Sequence, residues 1–352
     1  MSDVKLTGKD FFNKILAGLS VGIVVALIPN ALFGELLKAL VPTLPALQPI
    51  LDITVLVMRL MPMIIGVCIA MQFNFTPIQV TSIGVATLIG GGVATVAEKG
   101  AFVFNGTGDV INAALTASIA VGLVLLLGSK LKAYTILLIP SIVAIVAGYI
   151  GLFTLPYVKE ITLFIGNIVN NFTTLQPVLM GILLSVTFAI LIVSPFSTVA
   201  VATAIALAGS GSGAANLGVV AAGFGLAVCG WKSNSLGTSL AHFLGSPKMQ
   251  MANVLKKPLT MVPILCNAAI LGALAGMLNI PGTPMSAGFG ISGLIGPINA
   301  LNLMEGGYSV ANIAIVAAVF VVIPVILSIV FNYIFTKKVK LVTEEDYKVD
   351  FK

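Results

Sequence analysis

From residue 310 to residue 335 the chain runs without one charged side chain, and residues 110–127 and 134–154 do the same. About 20 consecutive apolar residues are what a helix needs to cross the hydrocarbon of a bilayer. In lipid the backbone must satisfy its own hydrogen bonds, so runs of this length read as spanning helices. Composition agrees: 58% of the residues are hydrophobic and 9% charged, against roughly a quarter charged in a soluble domain. The expected fold class is an all-α integral membrane protein. The length has room for about eight to ten transmembrane helices and no sizeable soluble domain.

Two glycine-rich runs interrupt this pattern, both in the C-terminal half. One is GSGSGAANLG at 209–218 and the other is SAGFGISGLIGP at 286–297. Glycine gives the backbone freedom and lets other groups approach it closely. Irregular backbone at membrane depth is tolerated only where protein buries it or water reaches it. Paired interruptions of this kind mark a substrate path built from broken helices. The pieces 198–207 and 217–229 are each short for a crossing, so a re-entrant hairpin or a broken pair is expected there. Residues 161–175, with Asn167, Asn170 and Asn171, read as an interfacial piece. Residues 98–109 read as a polar loop, and the tail from 336 onward as solvated.

The net charge of +6 comes from loops and termini. It reads as topology, with no nucleic-acid partner implied. Residues 1–14 form an amphipathic lead with Lys5, Lys9 and Lys14. Lysines also gather at 130–132, 232–257 and 337–340, and the positive-inside rule places all four groups, and both termini, in the cytoplasm. Cys68, Cys229 and Cys266 lack metal-like spacing and read as small buried hydrophobes. No metal and no cofactor is expected.

Few residues are candidates for chemistry. Asp52 and Arg59 lie seven apart on one helical face, and a charge at membrane depth is a default pointer to a partner or a cavity. Arg59 therefore stands as a substrate or gate contact, with a structural role as its rival. Glu98, Lys99 and Asp109 bound a loop that reads as an ordinary solvated turn. His242, the only histidine, is either a structural hydrogen bonder or a proton-transfer group. Glu305 is either a carboxylate at membrane depth or the end of a loop at Gly306. Asn216, Asn234, Ser286, Ser292 and Asn299 are neutral donors and acceptors near the broken segments. Polyol or sugar recognition wants such groups, and so does helix packing in lipid. No hydrolase arrangement of Ser, His and Asp is present.

With GAANLG at 213–218, LGSPKMQM at 244–251, PGT at 281–283, SAGFG at 286–290 and Gly296-Pro297, the chain resembles the membrane (IIC) component of bacterial phosphotransferase-system sugar transporters, in its short stand-alone form. That resemblance implies a multi-pass protein of the cytoplasmic membrane that moves a sugar or polyol. It implies a homodimer, with residues 15–175 as scaffold, residues 176–335 carrying substrate by an elevator-like motion, and 336–352 as a cytoplasmic tail. It also implies a separate cytoplasmic IIB protein as phosphoryl donor, for which the lysine-rich 232–257 connection is a docking surface by charge complementarity. The wider superfamily carries a Gly-Ile-Thr-Glu-Pro-Ile signature whose glutamate meets the sugar hydroxyl. Here the match is Ile295-Gly296-Pro297-Ile298, which puts Gly296 at the glutamate's place and leaves Glu305 and His242 as candidates for its role. The alternative is a carrier or receptor of the same fold, for a non-sugar molecule, uncoupled from phosphorylation.

Overall fold

A computed structural model describes residues 6–97, 100–127, 131 and 134–349. Residues 2–5, Glu98, Lys99, Ser129, Lys130 and Lys132, to which the sequence assigns loop or charge roles, lie outside the described residues. The described residues are mostly helical, and the strands among them form one small hairpin. Among the described residues, six helices are long and apolar enough to cross a membrane, and a bent pair makes up to seven if it is one span. Two shorter apolar helices, Pro77–Gly90 and Pro177–Ile192, accompany them. Contacts divide the chain into two compact units.

The first unit comprises Asp52–Glu160 with the chain up to Pro29. Helix α1 (Gly8–Leu40) begins here. Helices α2 (Gln48–Arg59) and α3 (Met61–Met71) meet at Leu60 with a bend of 54°. Pro62, at the start of α3, has no N–H to continue the ladder, and this is what breaks the expected single span. Helices α4 (Pro77–Gly90), α5 (Val110–Leu127), α6 (Thr135–Ile142) and the first part of α7 (Gly148–Asn170) complete it. Asn112 knots three of these together. Its Nδ2 donates to Gly90 O at 2.5 Å and Gly151 O at 2.7 Å, while its Oδ1 accepts from Thr154 Oγ1 at 2.8 Å. Asp109 accepts from the Asn112 backbone N–H and so caps α5. The loop before it contains an antiparallel hairpin, β1 (Ala94–Val96) with β2 (Phe102–Phe104), where a polar loop is expected. Its β-branched and aromatic residues suit a strand better than a solvated turn.

The second unit comprises Ile161 onward with Asn30–Leu51. Residues 161–175 are not a separate interfacial piece. They continue α7 and a short 3₁₀ turn, in a helical run from Thr135 to Thr174. Helices α8 (Pro177–Ile192), α9 (Thr198–Ala204), α10 (Gly209–Cys229), α11 (Leu236–Leu244), α12 (Met251–Lys256), α13 (Val262–Leu278), α14 (Ile295–Leu303), α15 (Val310–Ala317) and α16 (Ile323–Tyr333) follow. At the centre α8, α10 and α13 pack backbone to backbone. A Cβ on Gly181 would lie 2.2 Å from Gly272 O, one on Gly218 2.0 Å from Ser185 O, and one on Gly213 1.8 Å from Ile280 O. Pro177 faces Gly276 and Gly181 faces Gly272, so α13 runs antiparallel to α8. Gly213 faces Ile280 and Gly225 faces Ile264, so it also runs antiparallel to α10.

The run at 209–218 is therefore not a turn between two short pieces. It is the first half of one continuous helix, almost wholly buried. Glycine lacks a side chain to stop the close approach, and packing offsets its poor helix propensity. The break lies just upstream, where Ala206 (φ 49°) and Gly209 (φ 61°) turn the chain left-handed. The run at 286–297 is irregular as expected, with positive φ at Gly290, Gly293 and Leu294.

Candidate functional site

The two interrupted segments are tied to each other at the start of α10. Gly209 and Gly282 exchange backbone hydrogen bonds, each 3.0 Å. One turn further, Ser212 Oγ donates to Thr283 O at 2.7 Å. Asn216, four residues on and so on the same face, accepts from Gly290 N at 3.0 Å through Oδ1. Its Nδ2 points to Ser286 Oγ at 3.4 Å. Ser286 and Thr283 bond reciprocally, each side-chain oxygen accepting from the other's N–H. Thr283 Oγ1 donates to Asn299 Oδ1 at 3.1 Å. Three of the predicted residues, Asn216, Ser286 and Asn299, thus belong to one network of uncharged groups.

The irregular segment is pinned at two further points. Thr198 Oγ1 donates to Gly288 O at 3.1 Å, and Ser292 Oγ donates to Leu244 O at 2.9 Å and Gly245 O at 3.1 Å. Alternate residues 288, 290 and 292 are therefore held by α9, α10 and the end of α11 in turn. Beside this region Lys248 is buried, its Nζ donating to Ser194 O and Phe196 O at 2.6 Å each. Burial pulls its amine down to about 7.

A cavity of about 400 Å³ opens at the break before α10. It is lined by Asn170, Thr173, Met180 and residues 205–211. The first-turn N–H groups of α10 have no helical acceptor, and Ala208 supplies no side-chain cap. Ser210 and Gly211 lie on the cavity wall. The site offers backbone donors, hydroxyls and amides, with no charged side chain on the wall.

The remaining predicted residues are elsewhere. His242 is fully buried, with Nδ1 donating to Thr238 O at 2.8 Å and Nε2 accepting from Gln250 Nε2 at 3.0 Å. Burial holds its ring neutral, down to about 4. Asn234 donates to Gly230 O and Tyr347 O and accepts from Val349 N. Both residues serve the C-terminal segment, which is docked where a solvated tail is expected: Tyr347 is fully buried and its hydroxyl donates to Thr260 O at 2.9 Å. Glu305 is exposed in a turn, where its backbone carbonyl accepts from Asn312. Arg59, in the other unit, is exposed in the last turn of α2.

Position 296 has no room for a carboxylate. A Cβ there would lie 2.2 Å from Gly290 O and 2.8 Å from the Phe320 ring. Sequence reading missed Ser212, Thr283, Thr198 and Lys248. The spacing of Ser212 and Asn216 points to them once 209–218 is read as a helix. The three-residue step from Thr283 to Ser286 suits a hydroxyl turn.

Comparison with known families matches residues 13–349 to the family described as "Phosphotransferase system, EIIC". Neither the curated proteins nor the solved structures gave a match. With nearly its whole length matched, this multi-pass membrane chain belongs to the EIIC family of the phosphotransferase system.

Proposed function

We propose that the chain moves a sugar or polyol across the bacterial cytoplasmic membrane, binding it at the start of α10 against the 283–299 segment. The observation that carries this is the uncharged network of Ser212, Asn216, Thr283, Ser286 and Asn299 beside a cavity of about 400 Å³. Ligand pockets of roughly 300–1,000 Å³ with a few placed polar groups are the common form. A neutral polyhydroxyl ligand matches hydroxyls, amides and backbone donors without leaving a buried charge unpaired. In this reading the chain works as a homodimer, residues 176–335 shift against residues 15–175 in an elevator-like motion, and a separate IIB protein supplies the phosphoryl group. Both termini face the cytoplasm.

A second reading is supported by Gly296. The packing there leaves no space for the superfamily's glutamate, Glu305 is exposed, and His242 is buried with both ring nitrogens engaged in hydrogen bonds. It is burial that keeps His242 neutral, and together these features favour a carrier of the same fold without phosphorylation. Purified protein in liposomes, given a labelled sugar and polyol panel with and without a phosphorylated IIB source, separates the two. Phosphorylated product inside supports group translocation, and unmodified product inside supports the carrier. No uptake or binding of any member of the panel would overturn the sugar reading.

A further inference from the structure

The last described residues form a strap over the connection between α10 and α13. Tyr347 O accepts from Asn234 Nδ2 at 2.9 Å and from Gln250 Nε2 at 2.6 Å, and Lys348 O accepts from Asn253 Nδ2 at 2.7 Å. Asn234 Oδ1 in turn accepts from Val349 N at 2.8 Å. The groove thus holds the backbone of the strap, which makes one 3₁₀ turn over Glu344–Tyr347, through side-chain amides, and main-chain hydrogen bonds of this kind are one source of affinity in peptide recognition. One deep pocket takes the Tyr347 ring, whose hydroxyl donates to Thr260 O. Gly230 forms its wall, since a Cβ there would lie 3.0 Å from Tyr347 Cβ.

Charge complements shape. Lys232 pairs with Glu344 at 2.9 Å and Lys257 with Asp346 at 2.6 Å. These lysines belong to the acid-free basic connection, and the strap's carboxylates neutralise two of them. Apart from Val342 and Tyr347, no strap side chain is fully buried, and exposed ion pairs hold weakly. Such a segment is built to be exchanged for another of the same chemistry.

We propose that this groove is a docking site for a short acidic segment, carrying an aromatic residue, of the cytoplasmic phosphoryl-donor protein, and that residues 341–349 occupy it in its absence. The choice of partner rests on the transport reading above, whereas occupancy of the groove by the strap does not.

The test uses the full chain with Cys68 and Cys266 replaced by serine, so that Cys229 alone reports. Cys229 is buried, next to Gly230, which packs against Tyr347 of the strap. The native strap should protect it from maleimide, and the variant Glu344→Lys/Asp346→Lys/Tyr347→Ala should label at least tenfold faster. A synthetic peptide with the sequence of residues 340–350 should then bind the released variant in trans, restore protection, and fail to bind the native chain. Gly230→Ala, which narrows the pocket and leaves the strap sequence intact, should also speed labelling. Equal labelling of native and released chains, or no peptide binding to the released chain, would overturn the docking groove. If the peptide binds but a phosphorylated IIB source neither competes with it nor supports transport, the groove stands and the partner assignment falls.

Discussion

The Asn216 side chain joins a continuous helix to an irregular segment, through Gly290 N and Ser286 Oγ. Replacing it with alanine leaves the buried Gly290 N–H without an acceptor, a cost of about 1–3 kcal/mol. That penalty falls on the folded 283–299 segment and lowers the population able to hold ligand. Asn216→Ala should reduce uptake roughly ten- to a hundredfold, while protein yield in membranes stays near normal. Wild-type uptake by the variant would remove the network from the substrate path. His242 belongs to a different calculation. Its ring is lowered from 6.5 to about 4 by burial, so between those values the unfolded chain binds a proton that the folded chain refuses. Stability is therefore present above about 6.5 and falls as pH drops toward 4, by about 3 kcal/mol over the window. Thermal melting in detergent should show this slope, and His242→Gln should flatten it. An unchanged slope in His242→Gln would show that another group titrates.

At the scale of elements, the three-helix core stands on glycines that admit no Cβ. Gly218→Val would drive a side chain into Ser185 O, which a Cβ would meet at 2.0 Å. Overpacking typically costs about 1–3 kcal/mol, and more where backbone is the obstacle. The variant should fail to accumulate, whereas Gly237→Ala in α11, with nothing within 4 Å, should express normally. Equal expression of the two would mean that α8 and α10 do not touch as described. The same glycines explain where reading the sequence succeeded and where it stopped. Long uncharged runs such as 310–335 announce a helix without help from other parts of the chain. The 286–297 run is legible as irregular because it is glycine-rich, and left-handed backbone that a helix cannot accommodate falls at two of its glycines, Gly290 and Gly293, and at Leu294. The 209–218 run has the same composition and the opposite outcome. Its glycines are kept for close approach by α8 and α13, partners distant in sequence, so local propensity pointed to a turn that packing overrode. The break falls instead between Ala206 and Gly209, and at Ala206 no glycine marks it. The network on Asn216 was half legible: polar residues near broken segments were visible, but their pairing across some 70 positions was not. Lys248 looked like one lysine of a topology signal until the fold buried it against the end of α8.

The whole molecule supplies a constraint on sidedness that no single span provides. The strap joins Val349 to Asn234 and Asp346 to Lys257, so the end of the chain and the 231–257 connection share one face of their unit. Between them lie the apolar helices Pro258–Leu278 and Val310–Lys338, with residues 279–309 linking them. If both helices cross, that link must hold the opposite face, and the exposed Tyr308 and Glu305 with it. We predict that the first face is cytoplasmic, because the lysines at 232, 248, 256 and 257 fall on it and the positive-inside rule puts such clusters inside. Single-cysteine chains at exposed positions test this in intact cells, after Cys68, Cys229 and Cys266 are replaced by serine. A membrane-impermeant maleimide added outside should label Tyr308→Cys, and should reach Lys256→Cys and Glu345→Cys only after lysis. The complete inverse, with 256 and 345 labelled outside and 308 protected, would keep the fold of this unit and reverse its orientation. Labelling of 256 and 345 from opposite sides would be incompatible with the docked strap itself, since residues paired at 2.6 Å and 2.9 Å cannot have a bilayer between them.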